Sequence, residues 1–337
     1  MIEAKKIPSY KKTHVSHTEL LARLLVADAS FLTLREKNLF LSLLLSFSES
    51  EFDEKCAELT LDSISFCVKR AFQRVSWTGR EALKKAKRSF SILMNFSISW
   101  TSYDSADYPA LLREMRDPPF MLFYRGNLSV LQKTCVSVVG TRRASARARR
   151  AASDFSKDAC DDGRCVVSGL AFGIDAAAHK GALLSHTGAT CAVLPSGIDT
   201  ITPQTHTRLA VKILESGGLI LSEYVPGTPA LQFRFVQRNR IVAALSPSTV
   251  VVQAPSGSGA MITAELALDY NREVFFHSEC FSSEALAINE YSELQLKKLA
   301  QQGKKVDYKL KSTPRSFVED GARVISNYRE FKDFENG

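Results

Sequence analysis

The sequence predicts an α/β protein, a doubly wound, mostly parallel Rossmann-like sheet with a smaller N-terminal helical domain. Two observations carry this. From Cys135 onward, short apolar runs alternate strictly with helix-length stretches. The runs are Cys135–Val139, Cys165–Ser168, Thr190–Leu194, Gly218–Ser222, Thr249–Gln253 and Glu273–His277. Continuous apolar runs of this kind mark strands covered on both faces, as in a parallel sheet. Upstream, Gly79 is the only glycine before Gly126, and apolar residues recur at helical spacing.

In chain order, residues 1–17 read as a disordered, lysine-bearing leader, and 18–105 as the helical domain. Leu20, Leu21, Leu24 and Leu25 share one helical face. Phe40, Leu43, Leu44 and Phe47 form a second such set, and Phe66, Val68, Phe72 and Val75 a third. Ser89–Tyr103 is rich in β-formers and predicts one or two strands. Pro118 and Pro119 stop any helix, and Phe120–Tyr124 reads as a short strand at the entry to the 106–280 domain. Helices are expected over Ser145–Asp161, Asp175–Ser185, His206–Glu215, Phe233–Leu245 and Gly259–Tyr270. Residues 281–337 read as a polar, lysine-bearing insertion (281–313) followed by a closing helix and turn from Ser312.

The 337 residues carry a net charge of +8, with 45% hydrophobic and 24% charged residues. This balance fits a globular protein and is compatible with nucleic acid without requiring it. The seven cysteines are odd in number and none stand as C-x-x-C, so they are expected as core residues in a reducing compartment, with no zinc site. The basic N-terminus has no apolar run behind it, and Leu39–Phe47 is short and broken by serine. A cytoplasmic location without membrane contact is therefore expected.

In an open parallel sheet, ligands sit outside the carboxyl ends of the strands. Five loops follow those ends: Gly140–Ser145, Ser168–Asp175, Pro195–Asp199, Ser222–Pro229 and Pro255–Ala260. Nearly all are small, polar and glycine-bearing, which lets backbone N–H groups approach a phosphate. Ordinary turns also use glycine and remain the alternative.

Arginines sharpen the choice. Arg142, Arg143, Arg147, Arg149 and Arg150 crowd the start of a helix, where the macrodipole disfavours cations, and no carboxylate precedes Asp154 in this stretch. Arg142 and Arg143 lie in the loop itself and are assigned to phosphate. Arg147 and Arg150 share a face that suits solvent equally well. In Phe233–Arg240 (FRFVQRNR) aromatic and basic residues interleave, as single-strand binding sites do. Phe233 and Phe235 lie two apart, so a helix cannot bury both on one narrow face; Phe235 is chosen to face the ligand.

Several catalytic devices are missing. There is no G-x-G-x-x-G in the first loop, no P-loop, no G-x-S-x-G and no H-E-x-x-H. Neither enzymatic activity nor any cofactor or metal is expected. Asp175 is read as a helix cap, His179 as packed or solvated, and Glu223 as an acid holding an arginine or a backbone amide.

Taken together, VGTRRAS (Val139–Ser145), SGLAFGIDAAAHKGAL (Ser168–Leu183), LILSEYVPGTP (Leu219–Pro229), RNRIVAALS (Arg238–Ser246) and SGAMITAELAL (Ser258–Leu268) resemble the DprA/Smf (DNA-processing protein A) family, in the family's order. The resemblance runs from about Tyr108 to His277. It implies a Rossmann-like domain that binds single-stranded DNA, self-associates as a homodimer and hands strands to the RecA recombinase in natural transformation or recombination. It also implies a basic DNA pocket on Arg142, Arg143, Phe235, Arg238 and Arg240, with Ser168 and Gly169 nearby. Arg234, from the aromatic–basic run, and Ser258, from the fifth loop, complete the candidate DNA-binding set. Departures from the family pattern include Phe172 in place of an arginine, Val236-Gln237 before RNR, Thr202 in place of a tyrosine, and His277–Cys280 in place of V-P-G. The competing reading is a phosphoribohydrolase of the lysine-decarboxylase-like (LOG) kind, faintly echoed by Pro255–Ala260 with Glu265.

Overall fold

The computed structural model describes residues 15–187, 189–304, 306 and 310–336. Residues 1–14 of the expected leader lie outside the described residues. The chain divides into two compact units, one ending at Asn95 and the other beginning at Phe96.

The first unit is helical: α1 (His17–Asp28), α2 (Leu34–Leu45), α3 (Phe52–Glu58), α4 (Leu61–Val68) and α5 (Gly79–Asn95). Local chemistry fixes the helix starts. Ser16 accepts from the Glu19 N–H, and Thr33 and Glu36 form a reciprocal capping box. The Ser89–Tyr103 stretch holds one strand, at Ser99–Ser102. Its first part, to Asn95, is the end of α5, because Ala82, Leu83, Ala86, Ser89 and Leu93 recur at helical spacing and are all buried. One expectation fails here. The set Phe66–Val75 is not one face. Ile64 and Val68, four apart, take the buried side of α4, Phe66 is 88% exposed, and Lys69 ends the helix in a left-handed conformation.

The second unit begins with β1 (Ser99–Ser102), α6 (Ala110–Arg113) and β2 (Met121–Gly126). Alternation follows: β3 (Cys135–Val139), α7 (Ala146–Asp161), β4 (Cys165–Ser168), α8 (Ile174–Ala182), β5 (Ala189–Val193), α9 (Thr207–Glu215) and β6 (Leu219–Ser222). Then come α10 (Gln232–Ala244), β7 (Ser248–Val251), α11 (Gly259–Asp269) and β8 (Glu273–His277). The sheet order is β1-β2-β6-β5-β4-β3-β7-β8-β9, with β9 at Arg323–Ile325. Strands β3 to β9 run parallel, while β1 and β2 pair antiparallel at one edge.

Alternate residues of β3 serve the two layers. Val136 and Val138 pack with Val166, Val250 and Phe275 beneath α7 and α8. Cys135 and Val139 join Val167, Val193, Leu221 and Val251 beneath α10 and α11. The strands β3 to β6 step outward in one direction, and the chain then returns to set β7 against the other side of β3. The carboxyl ends of β3 and β7 therefore flank the topological switch point.

The residues after 280 extend the same sheet. After α12 (Ser283–Gln301) and α13 (Pro314–Glu319), β9 pairs with β8 and leads into α14 (Tyr328–Asn336). Phe331 of α14 is fully buried, with ring centroids 5.3 Å from Phe155 and 5.0 Å from Phe275. No helix among the described residues is long and apolar enough to cross a membrane.

Candidate functional site

Gln253, just past β7, ties the two switch-point loops together. Its carbonyl accepts from the Thr141 N–H at 2.7 Å, and its side-chain Oε1 accepts from the Ser145 N–H at 2.9 Å. Ser145 in turn caps α7 through the Ala148 N–H at 3.0 Å. The segment between, with Arg142 and Arg143, is thus held at both ends while those two side chains stay exposed. The Arg142 guanidinium lies over the Phe235 ring, 5.1 Å from its centroid.

The loop after β4 packs onto this one. Gly173 has φ +76°, and a Cβ there would come within 2.2 Å of the Thr141 carbonyl oxygen, so the position admits glycine alone. Leu170 also takes a left-handed φ of 58°, and its carbonyl accepts from His206 Nδ1 at 2.8 Å. Phe172 projects from this loop, 47% exposed.

Not every candidate arginine faces outward. Arg238 is 3% exposed, and its Nη1 donates to the carbonyls of Gly169, at 2.5 Å, and Val193. The guanidinium lies so close to Gly169 that a Cβ there would come within 2.4 Å of it. Burial pulls Arg238 down to about 10, opposed by Asp175, so it stays charged at neutral pH. Arg240 is tied to Glu223 and to Asp117, whose carboxylate lies 3.3 Å from its Nε. Burial lowers its pKa, but the two carboxylates outweigh that and raise it. Arg238 and Arg240, both read from the sequence as pocket residues, thus spend their guanidinium groups on partners within the fold. Glu223 holds an arginine, one of the two roles read for it.

Ser168 and Gly169 are likewise engaged within the fold. The Ser168 hydroxyl is buried and donates to the Val138 carbonyl at 2.7 Å, and the Gly169 carbonyl is taken by Arg238. Asp175 is not the N-cap of α8, which falls at Gly173. Its carboxylate turns back to accept from the Ala171 N–H at 3.3 Å, and burial raises its pKa against the pull of Arg238. His179 is packed rather than solvated. Thr190 gives its hydroxyl proton to the Val166 carbonyl, so His179 Nδ1 donates to Thr190 Oγ1 at 2.7 Å. Burial, aided by Arg238 and His206, holds His179 down to about 3.

The arginines of α7 also find partners that the local sequence lacks. Arg147 pairs with Glu279 at 3.0 Å, and Arg149 donates to the Ala144 carbonyl. At the start of α10, Arg234 is half-buried, lying 5.3 Å from the Tyr224 ring centroid and 5.4 Å from that of Phe233, and it donates to the Pro229 carbonyl. Phe233 is 54% exposed and Phe235 half-buried, so neither ring enters the core.

The fifth loop differs from its sequence reading. The Ser256 N–H donates to Asn289 Oδ1 of α12 at 2.9 Å, the Gly257 N–H to the Ser312 carbonyl at 2.9 Å, and the Ser258 N–H to the Pro255 carbonyl at 3.1 Å. These amides are already satisfied. Ser258 Oγ, buried, has no hydrogen-bond partner among the described residues. Sequence reasoning missed the role of Gln253, which read as one more strand residue, and that of His206.

The fold and this rim define a doubly wound α/β protein whose switch-point crevice carries arginine and aromatic side chains together. Residues 99–314 match the family described as DNA recombination-mediator protein A, and the chain belongs to that family. It is 42% identical over 172 residues to Protein Smf of Escherichia coli (strain K12), covering 51% of this chain and 46% of that protein. It is 40% identical over 168 residues to the DNA processing protein DprA of Streptococcus pneumoniae (strain ATCC BAA-255 / R6), covering 50% of this chain and 58% of that protein. The matched regions thus span about half the length of these curated relatives. The X-ray structure of DNA processing protein A from Streptococcus pneumoniae superposes with a TM-score of 0.63 at 28% identity, covering 92% of this chain and 96% of that one.

Proposed function

We propose that the chain binds single-stranded DNA along the carboxyl rim of its sheet and acts in recombination by binding, not by catalysis. The observation that carries this is the Arg142 guanidinium lying over the Phe235 ring at the switch point, with Arg143 exposed beside it. A guanidinium serves the phosphodiester backbone, and a ring stacks a base of any sequence. Arg234, with the rings of Phe233 and Tyr224, extends the same combination to the start of α10. Membership of a recombination-mediator family supports RecA recombinase as the recipient of the strand, in natural transformation or recombination within the cytoplasm. A homodimer is proposed as the working form.

The test is fluorescence anisotropy of a labelled oligo-dT strand titrated with the protein at several salt concentrations. Binding that weakens steeply with salt is expected, because phosphate contacts release counterions. No binding at low salt, or release of a free base from a nucleoside monophosphate, contradicts the reading. The phosphoribohydrolase alternative is not favoured by the fifth loop, whose Ser256 and Gly257 amides are taken by Asn289 and Ser312.

A further inference from the structure

Phe172 is a large apolar side chain left half outside on an otherwise braced loop. Single exposed apolar residues are ordinary, so exposure alone decides nothing. The setting decides. The loop is fixed from below by the bond from His206 to the Leu170 carbonyl. It is fixed from the side by Gly173, which sits against the Thr141 and Arg142 carbonyls. The Phe172 ring meets His206 edge-on at 4.7 Å with an interplanar angle of 64°, which restricts it without covering it. Its chain neighbour Gly173 abuts the backbone of Arg142, whose guanidinium in turn lies over Phe235. The carboxyl rim of the sheet thus carries a ring on the loop after β4, a cation on the loop packed against it and a second ring under that cation.

We propose that Phe172 is a base-stacking platform that sets how much of strand binding comes from bases and how much from phosphates. This rests on the reading of the rim as a single-strand site and adds a contact that reads the base face and is indifferent to its identity. An aromatic side chain at this position adds no charge, so it strengthens binding without steepening the salt dependence.

The experiment compares oligo-dT with an abasic deoxyribose-phosphate strand of the same length. Phe172→Ala is expected to weaken oligo-dT binding about tenfold, in line with the loss of one stacked base. Its salt slope and its affinity for the abasic strand are expected to match those of the wild type. Phe172→Trp is expected to keep oligo-dT affinity and to add an emission component that the strand quenches. Equal losses of Phe172→Ala on both strands, no loss on oligo-dT, or an unquenched tryptophan overturns the proposal. Failure of the underlying reading looks different: the wild type then fails to bind oligo-dT, or is insensitive to changes at Arg142 and Arg143.

Discussion

Replacing Arg238 by methionine separates a brace from a DNA contact. The substitution keeps a flexible, unbranched stem but removes the guanidinium, with its charge and its donors. Two buried carbonyls, at Gly169 and Val193, lose their guanidinium donor. The buried Asp175 loses the cation that opposes the rise of its pKa. Two unsatisfied buried carbonyls cost about 1–3 kcal/mol each, about 2–6 kcal/mol together. A domain of 150–250 residues shifts by roughly 2–4 °C per kcal/mol, so a loss of about 4–24 °C in the melting of the sheet domain is expected. The assay is thermal unfolding by circular dichroism, paired with salt-dependent anisotropy on oligo-dT below the melt. Affinity is expected to fall because the loop after β4 loses its support, while the salt slope stays that of the wild type. A melt shifted by less than about 2 °C together with a slope lowered by about 0.7 would put this guanidinium on a phosphate and refute its role as a brace.

Other expectations follow from the same geometry. His179 is held down to about 3 in the folded protein against an ordinary 6.5. The unfolded chain therefore binds a proton first, and stability is fully present above pH 6.5 and falls as the pH drops toward 3. His179→Asn retains a donor for Thr190 without the titration, and its urea stability is expected to fall less between pH 7 and 5 than that of the wild type; parallel curves contradict this. Phe331→Ala leaves a cavity among Phe155, Phe275 and Tyr328 and is expected to cost about 3–5 kcal/mol in denaturant unfolding. A cost under about 1 kcal/mol would mean that α14 is not part of the core.

The parallel sheet was legible because its strands are buried on both faces. Cys135–Val139, Cys165–Ser168 and Glu273–His277 match the observed strands at both ends. Strand β9 gave no such signal: of Arg323, Val324 and Ile325 only Ile325 is buried, and its place depends on pairing with β8. The meeting of Arg142 with Phe235 was legible because the loops after the strands' carboxyl ends converge at one rim of such a sheet. The burial of Arg238 was not, since its acceptors lie 69 and 45 residues away in the chain. Nor was the ion pair of Arg240 with Glu223, which is local in space but spans a loop and a helix. The satisfied amides of the fifth loop depend on Asn289 and Ser312, in a segment whose sequence reads only as polar and part-helical.

The most direct measurement is the slope of log affinity for oligo-dT against log salt, for the wild type and for the double variant Arg142→Ala/Arg143→Ala. With each guanidinium on one phosphate, the slope is expected to become shallower by about 1.4, since a single strand contributes about 0.7 per contact. An unchanged slope and affinity in a folded double variant would mean that the strand does not lie across this rim.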